Sequence, residues 1–376
     1  GAVAKTTLQM LDEFGQSVWI DYISRALLDT GRLKELIEQG VRGLTSNPTI
    51  FDKAISRSSD YDHLITKLKE EQGSTYEVYD AITVRDIQDA ADLFGPTYEE
   101  TEGLDGYVSL EIDPRLANDA EGTVAEGMRL WAKVARPNLM LKVPATDEGF
   151  KAISTLLEQN ININATLIFS LQQYENTAEA YMKGIEKLLS RGGNARSVHS
   201  VASVFVSRVD TMVDEIIERN LNASSGGSMQ KDFNRFKGLT AVANSAIIYD
   251  RYSQMFSDRR FERLRRQGGN VQRLLWGSTS TKNPSYSDVK YVTELIGKGT
   301  VNTIPEKTLV AFLDHGEVRE ALPGDLTEAR AIIQTLADHG IVIGDICGRL
   351  LKDGLTAFQD SFTSLLKAIE EKTASL

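Results

Sequence analysis

Short apolar runs recur along the chain, and between them lie longer stretches in which apolar residues return at helical spacing. The runs that read as strands are Val18–Tyr22, Gly43–Ser46, Tyr107–Ile112, Leu139–Val143, Asn162–Ile168, Val201–Val206, Leu274–Gly277 and Val301–Ile304. Leu33–Gln39, Phe150–Gln159 and Leu171–Leu189 are among the amphipathic stretches between them. Eight strands alternating with helices predict an α/β chain folded as a (β/α)8 TIM barrel rather than an open doubly wound sheet. No GxGxxG turn follows any strand run, which argues against a dinucleotide-binding fold.

Two connections are long. Asp52–Asp105 is expected to hold at least two helices. Asp210–Gln272 contains the Ser/Gly-rich Asn222–Ser228, a predicted helix at Gly238–Met255 and the basic Arg259–Arg266. That basic cluster reads as a solvated helix face before it reads as a polyanion site. From Leu326 onward the pattern is again helical, with Phe358 and Phe362 as packing residues inside Leu355–Glu371. No low-complexity tract, tandem repeat or linker divides the chain. Residues 1–376 are therefore read as a single catalytic barrel domain, with an inserted helical segment around 215–270 and additional C-terminal helices. Surface cover and a lid over the barrel mouth are both open as roles for that insertion.

Composition narrows the partners. With 41% hydrophobic and 25% charged residues the chain has an ordinary globular balance. A net charge of −11 excludes a general nucleic-acid or anionic-membrane binder, while leaving room for a local basic pocket. One cysteine, Cys347, cannot form an internal disulfide, and a reducing cytoplasm suits it. His63, His199, His315 and His339 are scattered without ligand spacing, so no metal or other cofactor is expected. The first residues lack the basic stretch and apolar core of a signal peptide, and no apolar segment has the length of a membrane span. No motif specifies an oligomeric state.

Lys142 changes the picture most. It is the only charged residue in Leu139-Met140-Leu141-Lys142-Val143-Pro144-Ala145. Desolvation disfavours an ammonium ion, which makes a lysine in a buried strand a candidate amine nucleophile for a ketone or aldehyde. The alternative is a buried stem whose head reaches water. In a barrel of this class the active site lies at the C-terminal ends of the strands. Read in order, those ends hold Asp21, then Thr45-Ser46-Asn47-Pro48, Glu111, Lys142, Asn164 and Thr166, Ser203 and Arg208, and Ser278 with Lys282. Singly each has a plain structural alternative: Asp21 as a helix cap, Asn47-Pro48 as a turn, Glu111 as an ion-pair partner. Together they bring an amine, two carboxylates, hydroxyls and cations to one mouth.

Further residues surround those positions. They are Trp19-Ile20-Asp21, Gly43-Leu44-Thr45-Ser46-Asn47-Pro48-Thr49-Ile50-Phe51, Val108-Ser109-Leu110-Glu111-Ile112 and Leu141-Lys142-Val143-Pro144-Ala145-Thr146. Ile163-Asn164-Ala165-Thr166-Leu167-Ile168-Phe169-Ser170, Ser203-Val204-Phe205-Val206-Ser207-Arg208 and Trp276-Gly277-Ser278-Thr279-Ser280-Thr281-Lys282-Asn283-Pro284 continue the series. In this order the segments resemble the transaldolases, class I Schiff-base enzymes of the pentose phosphate pathway. The resemblance spans most of the barrel and independently implies the same architecture.

It also implies a reaction: a dihydroxyacetone unit passes from sedoheptulose 7-phosphate to glyceraldehyde 3-phosphate, giving erythrose 4-phosphate and fructose 6-phosphate. By resemblance Lys142 forms the Schiff base, and Asp21 is the acid/base at the C4 hydroxyl. Glu111 and Thr166 position a water for the proton transfers. Asn47, Asn164 and Ser203 bond the dihydroxyacetone hydroxyls, and Thr45 and Phe205 line the substrate site. Arg208 grips the phosphate and Ser278 adds a hydroxyl. Many transaldolases carry a second arginine soon after the seventh strand; here Lys282 takes that position, a point charge without the fork.

The nearest rival is a fructose-6-phosphate aldolase-like lyase of the same family, releasing dihydroxyacetone. In that branch a tyrosine stands where this chain has Phe205, so the phenylalanine favours transfer. A fusion with a sugar-phosphate isomerase is a second rival, and no isomerase domain is expected within the 376 residues. A non-catalytic sugar-phosphate-binding barrel would be easier to accept had Lys142, Asp21 or Glu111 been lost. A metal-dependent aldolase would need a histidine cluster.

Overall fold

A computed structural model describes residues 3–223 and 233–375. The Ser/Gly-rich stretch expected at Asn222–Ser228 lies, beyond its first two residues, outside them. Eight parallel strands close into a barrel in sequence order. They are β1 Gln16–Asp21, β2 Leu44–Thr45, β3 Val108–Glu111, β4 Leu139–Pro144, β5 Ile163–Ile168, β6 Ser200–Phe205, β7 Arg273–Gly277 and β8 Thr300–Ile304. Every expected run falls on one of them, with bounds moved by a residue or two.

Strands buried on both faces read as near-continuous apolar runs, and here the two faces do different work. Leu139, Leu141 and Val143 of β4, Val108 and Leu110 of β3, and Ala202 and Val204 of β6 belong to the large core shared with the surrounding helices. The intervening residues point into the barrel. Trp19, Tyr107, Met140, Val201, Leu275 and Val301 form a separate apolar layer there. Lys142 follows Met140 by two residues, so it projects inward one layer higher, toward the C-terminal mouth.

Below the apolar layer the barrel is closed by a buried ion pair. Asp105 accepts hydrogen bonds from Ser17 Oγ at 2.7 Å, Trp19 Nε1 at 2.9 Å and Arg273 Nη2 at 2.9 Å. Burial alone would raise the Asp105 carboxyl, but Arg273 and these hydrogen bonds hold it below the usual carboxylate value. Asp105→Ala leaves the Arg273 guanidinium buried without its partner. It should cost about 3–5 kcal/mol of stability, the range for breaking a buried pair, with the loss read by urea denaturation. A change within experimental error would show that this floor is solvated in practice.

The connection from Asp52 to Asp105 runs through the end of the helix Pro48–Ser56, then the helices Asp62–Gln72 and Thr75–Glu100. The second long connection includes the helices Ser207–Ala223, Thr240–Met255 and Arg259–Arg266. Arg260 of the last pairs with Glu179 and Glu186, so part of the basic cluster is already neutralised by the barrel's own helices. At the C-terminal side a 33-residue helix, Ile343–Ser375, packs along Pro48–Ser56 beside the mouth. Gly354 sets its approach: a Cβ there would lie 2.9 Å from a Leu167 methyl of β5. No described helix is long and apolar enough to cross a membrane.

Candidate active site

Strand register brings the expected residues to one level. Asp21 on β1 faces Thr45 on β2, Glu111 on β3 faces Lys142 on β4, and Lys142 faces Asn164 on β5. Thr166 follows Asn164 on the same face, just before β5 breaks register; there Leu167 adopts a left-handed φ of 59°. These residues open onto a cleft of about 230 Å³ at the C-terminal mouth. Thr45, Asn47, Ser203, Phe205, Arg208, Ser278 and Lys282 line it with Asp21, Lys142, Asn164 and Thr166. Glu111 alone among the expected residues is not on its wall.

Glu111 lies instead behind the lysine. Lys142, 4% exposed, donates from Nζ to the Ser46 carbonyl at 2.9 Å and lies 3.9 Å from Glu111 Oε2. Burial pushes the Glu111 carboxyl above its ordinary value, with the Lys142 charge opposing. Glu111 Oε2 and Thr166 Oγ1 are both buried without a hydrogen-bond partner among the described residues. Unsatisfied buried polar atoms are costly, and two of them beside an amine suit a site that handles water and protons.

Asp21 is aimed by two threonines. Thr45 Oγ1 donates to Asp21 Oδ1 at 2.8 Å, and Thr45 and Thr303 Oγ1 are 2.6 Å apart. A hydroxyl has one proton, so Thr303 on β8 donates to Thr45, which donates to Asp21. Burial raises the Asp21 carboxyl, opposed in turn by Lys142, the Thr45 hydrogen bond, Arg208 and Lys282. Asp21 is thus not a helix cap. Asn47 is one: its Oδ1 accepts from Ile50 N at 2.9 Å and starts the helix Pro48–Ser56, leaving its amide donors to the cleft. Asn164 is held from both sides, accepting from Ser203 Oγ at 2.6 Å and donating to Ser109 Oγ at 3.1 Å. Ser203 therefore supports Asn164 as well as lining the cleft.

At the outer end the cleft turns cationic. The Arg208 guanidinium stacks over Phe205 at 5.3 Å, and Phe205 packs edge-on against Phe169. Burial draws the Arg208 pKa down, and burial followed by the repulsion of Arg208 does the same to Lys282. Two desolvated cations pressed together favour an anion between them. Lys53, Ser280 and Thr303 also line the cleft and were not singled out from the sequence. Lys53 lies two residues beyond the Gly43–Phe51 motif, in the helix that Asn47 caps, and that proximity could have flagged it. Thr303 carries no such signal. Among the described residues, no group of three or more His, Cys, Asp or Glu side chains is arranged to hold a metal ion.

Known proteins share this pattern along nearly the whole chain. The profile of the Transaldolase/Fructose-6-phosphate aldolase family matches residues 18–369. A protein named transaldolase from Trichodesmium erythraeum is 41% identical over 369 residues, covering 97% of each chain. Another from Saccharopolyspora erythraea is 42% identical over 98% of each chain, and one from Parafrankia sp. is 44% identical over 98% of each. With its motifs on the strand ends of a closed barrel and this likeness from end to end, the chain belongs to the Transaldolase/Fructose-6-phosphate aldolase family.

Proposed function

We propose that this chain is a transaldolase, a transferase working as one catalytic domain. It moves dihydroxyacetone from sedoheptulose 7-phosphate to glyceraldehyde 3-phosphate through a Schiff base on Lys142. The observation that carries the reading is Lys142 itself: an amine buried inside the barrel, in register between Glu111 and Asn164 and sharing a cleft with Asp21. Cys347, buried and with its thiol pushed up to about 12 by burial, suits a reducing cytoplasm and offers no competing nucleophile.

Lys142 Nζ attacks the ketose carbonyl carbon, and the carbinolamine loses water to give the iminium. Thr166 on the cleft wall and Glu111 behind the lysine, each with an oxygen unpartnered among the described residues, hold the water that carries these protons. Asp21 takes the proton of the C4 hydroxyl as the C3–C4 bond breaks. The electron pair passes into the iminium, leaving an enamine, and the aldose phosphate departs. The acceptor aldehyde then adds to the enamine, Asp21 returns the proton to its oxygen, and hydrolysis frees Lys142. Asn47 and Asn164 bond the hydroxyls of the three-carbon unit while it waits. A site built this way rejects deoxy analogues because its own buried polar groups would be left unpaired. Arg208, Lys282 and Ser278 take the terminal phosphate. Phe205 supports transfer over release, because it offers no hydroxyl to relay a water onto the waiting intermediate.

Borohydride reduction in the presence of fructose 6-phosphate should add one dihydroxyacetone-sized mass, mapped to the Lys142 peptide. Erythrose 4-phosphate added before the borohydride should clear that mass and yield sedoheptulose 7-phosphate. Folded protein that takes no adduct would sink the Schiff-base reading. Accumulation of free dihydroxyacetone with no transfer would move the chain to the aldolase branch.

A further inference from the structure

The helix Ser207–Ala223 carries Arg208 and Asp210 in its first turn and Asp214 one turn after Asp210, and the two carboxylates are used in the same way. Asp210 accepts from Ala241 N at 2.8 Å and from the Tyr291 hydroxyl at 2.6 Å. Asp214 accepts from Gly238 N at 3.0 Å and from the Tyr286 hydroxyl at 2.7 Å. Each carboxylate thus ties its helix to the start of Thr240–Met255 and to the segment after β7. Gly238 has φ 74°, and a Cβ there would lie 2.8 Å from Tyr286 Cζ, so the ring closes directly onto the backbone. The Lys290 ammonium sits 5.6 Å from the centroid of each tyrosine ring. Hydrogen bonds to a charged acceptor are the stronger kind, and Asp210 and Tyr291 are almost fully buried.

Lys282 lies in the loop that these contacts bound. The loop leaves β7 at Ser278, where Ser207 N donates to the Ser278 carbonyl at 3.0 Å and the two hydroxyls are 2.9 Å apart. It is caught again at Tyr286 and Tyr291. Between those points Lys282 stands with the substrate cleft on one side and a second cavity of about 300 Å³ on the other. Among the described residues its ammonium has one hydrogen bond, to Ser280 Oγ at 2.7 Å, within the same loop. Packing on either side therefore does not fix it. The anchors do.

We propose that Asp210 and Asp214 are positioning residues for phosphate recognition. Through Tyr291 and Tyr286 they hold the Lys282 loop against the Arg208 helix, so that both cations close on one phosphate. The inference rests on the reading above that Arg208 and Lys282 take the phosphate. Neither aspartate touches the substrate; each acts through a tyrosine and a loop.

Tyr286→Phe and Tyr291→Phe keep the rings and delete the hydroxyls. In each variant the KM for fructose 6-phosphate should rise roughly three- to tenfold, the scale of one lost hydrogen bond, and further in the double variant. Turnover at saturation and the KM for unphosphorylated fructose should stay put, because only ground-state phosphate binding is removed. The Kd for inorganic phosphate, by calorimetry, should rise with the KM. Asp214→Asn, which keeps an acceptor oxygen, should recover most of the affinity lost in Asp214→Ala, and Arg208→Ala sets the upper bound. Wild-type phosphate affinity in the folded single variants overturns the proposal. So does an equal KM rise for fructose and its phosphate, or a wild-type protein that takes no phosphate. If the wild type binds phosphate but neither turns over nor forms the adduct, only the transaldolase reading falls, and the phosphate Kd values still decide this one.

Discussion

Lys142→Ala should abolish transfer and leave no mass to be trapped by borohydride. The expected loss exceeds the ~10²–10⁴-fold that one proton-transfer group contributes, because the covalent route itself disappears. No other amine can take over: Lys53 and Lys282 share the cleft but stand at its cationic outer end, away from Glu111 and Asn164. The substitution also strands Glu111, whose carboxyl is already raised by burial and then lacks the Lys142 charge that opposes the rise. It should become neutral rather than unfold the barrel, since a buried carboxyl can shed its charge. Lys142→Met, closer in shape, separates chemistry from packing. Both variants should melt cooperatively and both should be inactive. Appreciable transfer by either, at a rate above the uncatalysed background, would remove the Schiff base from the mechanism.

Asp21→Ala should trap the substrate on Lys142 yet cleave it slowly, by ~10²–10⁴-fold, the usual contribution of a positioned acid or base. In the proposed mechanism attack and dehydration belong to Lys142, Glu111 and Thr166, so those steps should survive. What fails is removal of the C4 hydroxyl proton. The sign of the pH dependence follows from burial. As the proposed base Asp21 works in its charged form, and burial raises its pKa above the ordinary aspartate value, against Lys142, Thr45, Arg208 and Lys282. Cleavage in the wild type should therefore fall as pH drops through a midpoint above the ordinary aspartate range. Single-turnover quench of fructose 6-phosphate at several pH values reads both effects. Cleavage at full speed by the alanine variant would discredit the assignment.

Two physical signals made much of this legible in the sequence. Closed parallel strands are buried on both faces, so their runs stand out even where β2 is reduced to Leu44–Thr45. A charge inside such a run is informative because desolvation must be compensated, and Lys142 was found that way. Arg273, at the opposite end of β7, carries the same signal and was passed over; its partner Asp105 makes it a floor, not a site. Other features depend on geometry that spacing does not encode. Glu111 is the register partner of Lys142 and still does not line the cleft, a distinction that spacing along the chain does not carry. Thr303 and the tyrosine anchors act across elements far apart in the chain, where no local pattern marks a partner. Asn47 was legible twice over, as a helix start and as a site residue, and it serves as the cap while still lining the cleft.

The hydroxyl relay from Thr303 through Thr45 to Asp21 joins β8 to β2 across β1. It bridges the seam where the last strand to be synthesised meets the first. A chain that has laid down β1 through β7 holds Lys142 and most of the cleft lining, but Asp21 still lacks the far end of the relay. On the mechanism proposed above, the aim of the base thereby depends on closure of the barrel at that seam.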